Sequence, residues 1–291
     1  MNETKLVFAL RLLVCCTFLG RAYQHIRWEA PYRALLWSQY KMEPLITGVF
    51  GVEWRDWVNN TAVDMGIQNA INITGWFYLL CAVLALTVTG KTKFQQYVLA
   101  FGGAMLFFLA YLYFLDKGSR IGQWIEYSLQ FGGPIFLIAA VRGHICHPKL
   151  VFSFKVAIAL TFMGHGLYAA GIYPQPGNFV TMLMNGIGLS EDMSRQVLVA
   201  AGYLDFIAAA LIFFPAVDRP ALAYMAFWGF ATALARMVSY YDPIHIGGWL
   251  DAWAFQTIYR MIHGGAPLLL MFIPAIKSEQ PAKLNVLPLP A

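Results

Sequence analysis

This chain carries little charge. Charged residues fill 12% of its 291 positions, against about 25% in an average soluble domain, and that shortage excludes an ordinary water-soluble globular protein. The formal net charge is only +5 and is dispersed along the chain, which excludes the dense basic surface that nucleic acid requires. Cysteine is short as well. Cys15, Cys16 and Cys81 lie in apolar runs and Cys146 in a loop, so no disulfide framework can form. The first apolar run is interrupted by Arg11 and lacks a small-x-small cleavage signal after Gly20, so it reads as a retained helix rather than a signal peptide.

What is abundant is apolar. Hydrophobic residues make up 59% of the chain and aromatics 16%, the composition of an all-α integral membrane protein with Trp and Tyr belts at both interfaces. A span needs about 20 apolar residues, and about eight such runs can be placed, at Leu6–Tyr23, Ile73–Thr89, Phe94–Leu115, Ile121–Val141, Val151–Tyr173, Val197–Phe214, Ala221–Tyr241 and Trp253–Ile276. The stretches Ala30–Ile71 and Pro174–Gln196 are too polar to cross. Trp37, Phe50, Trp54 and Trp57 among Glu43, Glu53, Arg55 and Asp56 suit short helices lying in the interface.

The chain repeats itself. Tyr127 followed by Gly132, Gly133 and Pro134 matches Tyr259 followed by Gly264, Gly265 and Pro267. Arg11, Thr17, Phe18 and Gly20 match Lys155, Thr161, Phe162 and Gly164, and Gly75 stands where Gly202 stands. Two units are expected, 1–146 and 147–291, each a four-helix repeat. An even number of spans per repeat inserts both halves in the same orientation, so the repeats should be parallel and related by an axis along the membrane normal. The Gly pairs read as helix-packing points. Short-loop cations Lys5, Lys91, Lys93, Arg142, Lys149, Arg219, Lys277 and Lys283 outnumber Glu3, Asp218 and Glu279 on the side of the termini, which places both termini in the cytoplasm.

Each half resembles a DoxX-type unit: a first span opening with a cation and closing around Phe-x-Gly, an interfacial segment, and three further spans. DoxX relatives include the small DoxD subunit of thiosulfate:quinone oxidoreductase, and the wider group is similar to the membrane domain of vitamin K-dependent carboxylase. The resemblance implies quinone-linked redox chemistry in a bacterial inner (plasma) membrane. The expected function is a quinone-interacting oxidoreductase or its membrane subunit. The alternative is a non-catalytic accessory or scaffold subunit whose aromatic extracytoplasmic segments meet other proteins.

Polar groups at membrane depth are the candidate chemistry, because each costs several kcal/mol unless partnered. Gln256, Tyr259, Arg260 and His263 recur at three- and four-residue spacing and share one helical face. That face should turn into the bundle, with Arg260 paired to Glu126 first and Asp205 second. Arg260 then binds a ligand carbonyl or carboxylate, Glu126 or Asp205 moves a proton, and Tyr127, Tyr259 and His263 line the cavity as hydrogen-bonding neighbours. A structural ion pair fixing helix register is the competing reading. His165 and His263 sit in the fifth and eighth spans, which as neighbours in a four-helix unit could hold a haem or metal from opposite sides, although a buried His is more often simply hydrogen-bonded. The His144, Cys146 and His147 cluster has no second cluster to complete a metal site and reads as a linker.

Overall fold

The computed structural model describes residues 2–273, so residues 274–276 of the expected eighth span, and Lys277, Glu279 and Lys283, lie outside the described residues. Every regular element among the described residues is helical. In chain order they are α1 (Glu3–Arg27), α2 (Arg33–Leu36), α3 (Gln39–Phe50), α4 (Trp54–Asn59), α5 (Thr61–Thr87), α6 (Lys93–Asp116), α7 (Ile121–Ile125), α8 (Ser128–Ala139), α9 (Pro148–Ala169), α10 (Gly177–Ile187), α11 (Glu191–Leu211), α12 (Asp218–Ser239) and α13 (Ile246–Met271). A wide turn, Ala140–His144, extends α8.

Seven stretches are long and apolar enough to cross a membrane: α1, α5, α6, Ile121–His144, α9, α11 and α12. Eight were expected. The eighth forms as the single 26-residue helix α13, but Asp251, Gln256, Arg260 and His263 make it too polar to count as an apolar span. Two other expectations shift at their starts. α5 begins at Thr61, where the Asn60 side chain accepts from the Ala62 N–H at 2.8 Å. α11 begins at Glu191, where the Ser190 hydroxyl accepts from the Met193 N–H at 3.3 Å. Both helices therefore start in the polar segments and run on into the apolar ones, because a side-chain cap and not the onset of hydrophobicity sets a helix start. Span four is also not one helix: it breaks at Glu126 and Tyr127, between α7 and α8.

The packing is built on close approach at glycine. α1 lies against α5 and α13, α9 lies against α11, α7 and α8, α6 against α8, and α12 against α13. A Cβ on Gly20 would come within 2.6 Å of the Phe255 carbonyl oxygen of α13, and a Cβ on Gly164 within 2.7 Å of Gly122 O and Glu126 N. Those distances leave room for hydrogen only, so the two helix pairs touch backbone to backbone. Consequently α1, α8, α9 and α13 enclose the interior where the polar groups sit.

Cations and carbonyls fasten the end that holds the N-terminus. Arg11 Nη2 donates to Val88 O at 2.6 Å, Arg142 Nε to Gln96 Oε1 at 2.7 Å, and Lys155 Nζ pairs with Asp218 at 2.9 Å. At the other end Asp251 of α13 accepts from Tyr23 and from Arg27 Nε at 3.2 Å, while its carbonyl accepts from Trp28 Nε1 at 3.0 Å. Asp242 precedes α13 and accepts from the N–H groups of Ile244 and His245 at 2.9 and 3.1 Å. The His245 N–H above all, with that of Ile244 and the His245 ring, holds its carboxyl below the usual range.

Gly164→Ala puts a methyl against backbone atoms that cannot yield, and overpacking of this kind costs about 1–3 kcal/mol. Thermal unfolding in detergent should show a clearly lower midpoint for Gly164→Ala than for Gly177→Ala, whose Cβ meets nothing within 4 Å. Equal midpoints would contradict the backbone contact.

Candidate functional site

Leu6, Leu10, Val14, Phe18, Arg21 and His25 follow one another on the buried stripe of α1, and Arg21 therefore enters the interior in the register of a core residue. It is 1% exposed. Its Nε and Nη2 donate to Gln130 Oε1 at 2.9 and 2.8 Å, and Nη1 donates to Gln24 Oε1 at 2.7 Å. The guanidinium carbon lies 3.8 Å from the Tyr259 ring centroid, 4.9 Å from Tyr127 and 5.4 Å from Tyr113. No carboxylate among the described residues pairs with it. Two amide oxygens and three aromatic faces hold the charge instead, and desolvated cation–π contacts contribute about 2 kcal/mol or more.

The cage fixes the next group in line. Because Arg21 is donor only, the Gln130 atom it meets must be the carbonyl oxygen, so Gln130 Nε2 is the donor toward His263 Nε2 at 3.3 Å. A neutral His263 then carries its proton on Nδ1. The His263 ring meets the His165 ring edge to face, with centroids 5.4 Å apart at 84°. His165 Nε2 in turn lies 3.4 Å from Glu126 Oε1, within ion-pair distance, and Glu126 Oε2 accepts from Gln123 Nε2 at 3.3 Å. A line of polar side chains thus runs from Arg21 on α1 through α8, α13 and α9 to Glu126, joined at the His263–His165 step by a ring contact and not by a hydrogen bond.

Helix interruptions make this line possible. Glu126 and Tyr127 occupy the break in span four, where irregular backbone is tolerated only inside protein or beside a cavity. The freed N–H of Leu129 is taken up by the Thr161 hydroxyl at 3.2 Å. Pro134 in α8 and Pro267 in α13 each remove the helix hydrogen bond to the carbonyl four residues earlier, which in the two cases belongs to Gln130 and His263.

Glu126 and His165 open onto a cavity of about 480 Å³ that Asp205, Arg236 and Arg260 also line. The remainder of its wall is mostly apolar and includes Leu198 of α11, Phe227, Trp228 and Val238 of α12, and Phe179 and Met182 of α10. Phe227 and Val238 are also exposed on the outer surface of the bundle, so the space lies open toward the flank of α12. Asp205 Oδ1 accepts from Tyr224 at 2.9 Å, whereas Oδ2 has no partner. Arg260, 8% exposed, donates from Nη1 to Tyr259 Oη at 2.6 Å and to Gln256 O at 3.4 Å.

Several expectations are corrected here. The face bearing Tyr259, Arg260 and His263 does turn inward, but Arg260 forms no ion pair with Glu126 or Asp205 among the described residues. Glu126 sits on the helix break and faces His165 of α9, and Arg260 is taken up by its own neighbour. Tyr127, Tyr259 and His263 do not line the cavity; they are packed behind it, the two tyrosines around Arg21. Gln256 is half-buried and bonds to Ala252 O at 3.1 Å. The space shared by His165 and His263 with Thr161 and Trp228 is about 10 Å³, so the two rings do not stand on opposite sides of a haem.

Arg21, Gln130, Tyr113 and Arg236 were not singled out from sequence. Arg236 was detectable: it lies within the expected span Ala221–Tyr241, where the argument applied to Arg260 applies equally. Arg21 was signalled only by its spacing from Phe18 and Val14.

Arg21→Leu strands the carbonyl oxygens of Gln130 and Gln24 in the interior, at about 1–3 kcal/mol for each unsatisfied group. A large drop in melting temperature of the detergent-solubilised protein is expected, with Arg21→Lys falling between it and the parent. An unchanged midpoint for Arg21→Leu would contradict the cage.

Comparison with protein-family models, with curated proteins and with solved structures gives no match to this chain, so the reading of the site rests on its own geometry.

Proposed function

We propose that this chain is a quinone-interacting membrane protein built as two parallel four-helix repeats of the DoxX type, acting as an oxidoreductase or as the membrane subunit of one. The observation that carries the proposal is the cavity, a space of about 480 Å³ with mostly apolar walls and, on one side, Glu126, His165, Asp205, Arg236 and Arg260. Ligand pockets are commonly 300–1,000 Å³ with few polar groups, and a quinone offers the matching combination of carbonyl oxygens on an apolar body. In this reading Arg260 donates to a ring oxygen. Glu126, with His165 against it, gives or takes the proton that accompanies reduction or oxidation. A second subunit supplies or removes the electrons.

The pairing of helices supports the duplication. If α1 corresponds to α9, α5 to α11, α6 to α12 and α7–α8 to α13, then α1 on α5 corresponds to α9 on α11, and α1 on α13 to α9 on α7 and α8. Gly20 and Gly164 sit at the equivalent crossings. α13 is then the eighth span, and the cation-rich end faces the cytoplasm of a bacterial inner membrane.

A second reading, an accessory subunit, draws on a different surface. Tyr40 is 90% and Phe50 64% exposed on α3, and such apolar surface outside the spans suits contact with an extracytoplasmic protein or with the lipid interface. The two readings differ in what purifies with the chain: bound quinone for the first, stoichiometric partner subunits with an empty cavity for the second.

Arg260→Leu should abolish quinone binding while leaving membrane insertion and detergent-phase monodispersity intact. Glu126→Gln should retain binding but slow turnover by a factor of about 10²–10⁴, the usual contribution of a general acid–base. Quinone bound by Arg260→Leu as tightly as by the parent would remove the site from the proposal.

A further inference from the structure

The cavity holds one guanidinium that nothing answers. Arg236 of α12 is 7% exposed, lines the cavity, and has neither a hydrogen-bond nor an ion-pair partner for its guanidinium among the described residues, although every other buried charge there has one. Glu126 is engaged by His165 and Gln123, and one oxygen of Asp205 by Tyr224, the other having no partner. Arg260 has its bonds to Tyr259 and Gln256 and lines the same cavity as Arg236. Behind them Arg21 adds a third positive charge without any carboxylate of its own.

An unpaired guanidinium in a low-dielectric interior is costly, and the cost is relieved by an anion placed against it. A neutral carbonyl relieves it less, because hydrogen bonds in which both partners are charged are roughly twice as strong as neutral ones. The rest of the wall excludes a small hydrated anion: apart from Thr232 and Ser239 it is apolar, and it reaches the lipid-facing flank of α12.

We infer that the cavity selects an amphiphilic oxyanion, an apolar body entering from the bilayer with a delocalised negative head against Arg236 and Arg260. This deepens the proposed function and rests on the same cavity being the binding site. An acidic hydroxyquinone and a long-chain carboxylate both carry that chemistry.

The test is a competition in lipid nanodiscs, read by native mass spectrometry of the full chain, with two matched pairs of probes. One pair is an alkyl naphthoquinone and its 2-hydroxy analogue, ionised at neutral pH; the other is hexadecanol and palmitate. The acid should outcompete its neutral partner by at least about tenfold in each pair that binds, the ratio one charge-assisted hydrogen bond supplies. Arg236→Met should bring that ratio to near one, and Arg236→Lys should keep part of it. If Arg236→Met does not insert, the acid-to-neutral ratio of the parent decides alone. Equal or neutral-preferring competition overturns the inference and leaves the quinone reading standing. Palmitate bound with both quinones excluded supports the inference and sinks the quinone reading. Failure of all four probes to bind overturns both.

Discussion

A single buried cation organises the interior. Arg21 has no acid to neutralise it, so its stability depends on Gln130, Gln24 and the faces of Tyr113, Tyr127 and Tyr259 all holding position together. Those groups come from α1, α6, α8 and α13 and from the break before α8, and they can converge only if the backbones approach as closely as Gly20 and Gly164 allow. Removing an unpaired buried charge from water costs several kcal/mol; the cage offsets that through bidentate and aromatic contacts. One consequence is directional. By fixing the Gln130 amide, Arg21 also fixes which nitrogen of His263 accepts, and so influences a line of groups that ends at the cavity.

The polar line and the cavity divide the labour between them. Behind the cavity wall the Arg21 guanidinium is engaged on every side and packed, as a positioning framework needs to be, while His263 Nδ1 and His25 Nε2 have no partner. At the wall Asp205 Oδ2 and His165 Nε2 have no hydrogen-bond partner, and the Arg236 guanidinium, which lines the same space, makes neither a hydrogen bond nor an ion pair among the described residues. Buried polar groups are ordinarily satisfied, and a ligand in the hollow would complete the bonding of those that line it. Broken and proline-interrupted helices occur at the same level, which is where membrane proteins place irregular backbone beside a binding space.

Much of this fold was legible as a pattern of apolar runs, because a span is a length of hydrophobic sequence and length is written directly in the chain. The starts of α5 and α11 were not, since Asn60 and Ser190 set them through caps embedded in polar stretches. The inward face of Tyr259, Arg260 and His263 followed from periodicity. Its partners did not, because pairing depends on helix rotation and on the break at Glu126 and Tyr127, which no breaker residue announces. Arg21 falls within the last turn of the expected first span, Leu6–Tyr23, where a cation can reach the interface. Its true depth is set by the continuation of α1 to Arg27, one and a half turns beyond it.

The central claim is that the hollow beside α12 is a site for a lipid-borne ligand and not a packing defect. A cryo-electron-microscopy map of the protein in lipid nanodiscs tests it most directly. The account predicts elongated non-protein density entering past Phe227 and ending within hydrogen-bond distance of Arg236 and Arg260. A hollow collapsed by side chains, with Arg236 turned to pair with Glu126 or Asp205, would contradict it.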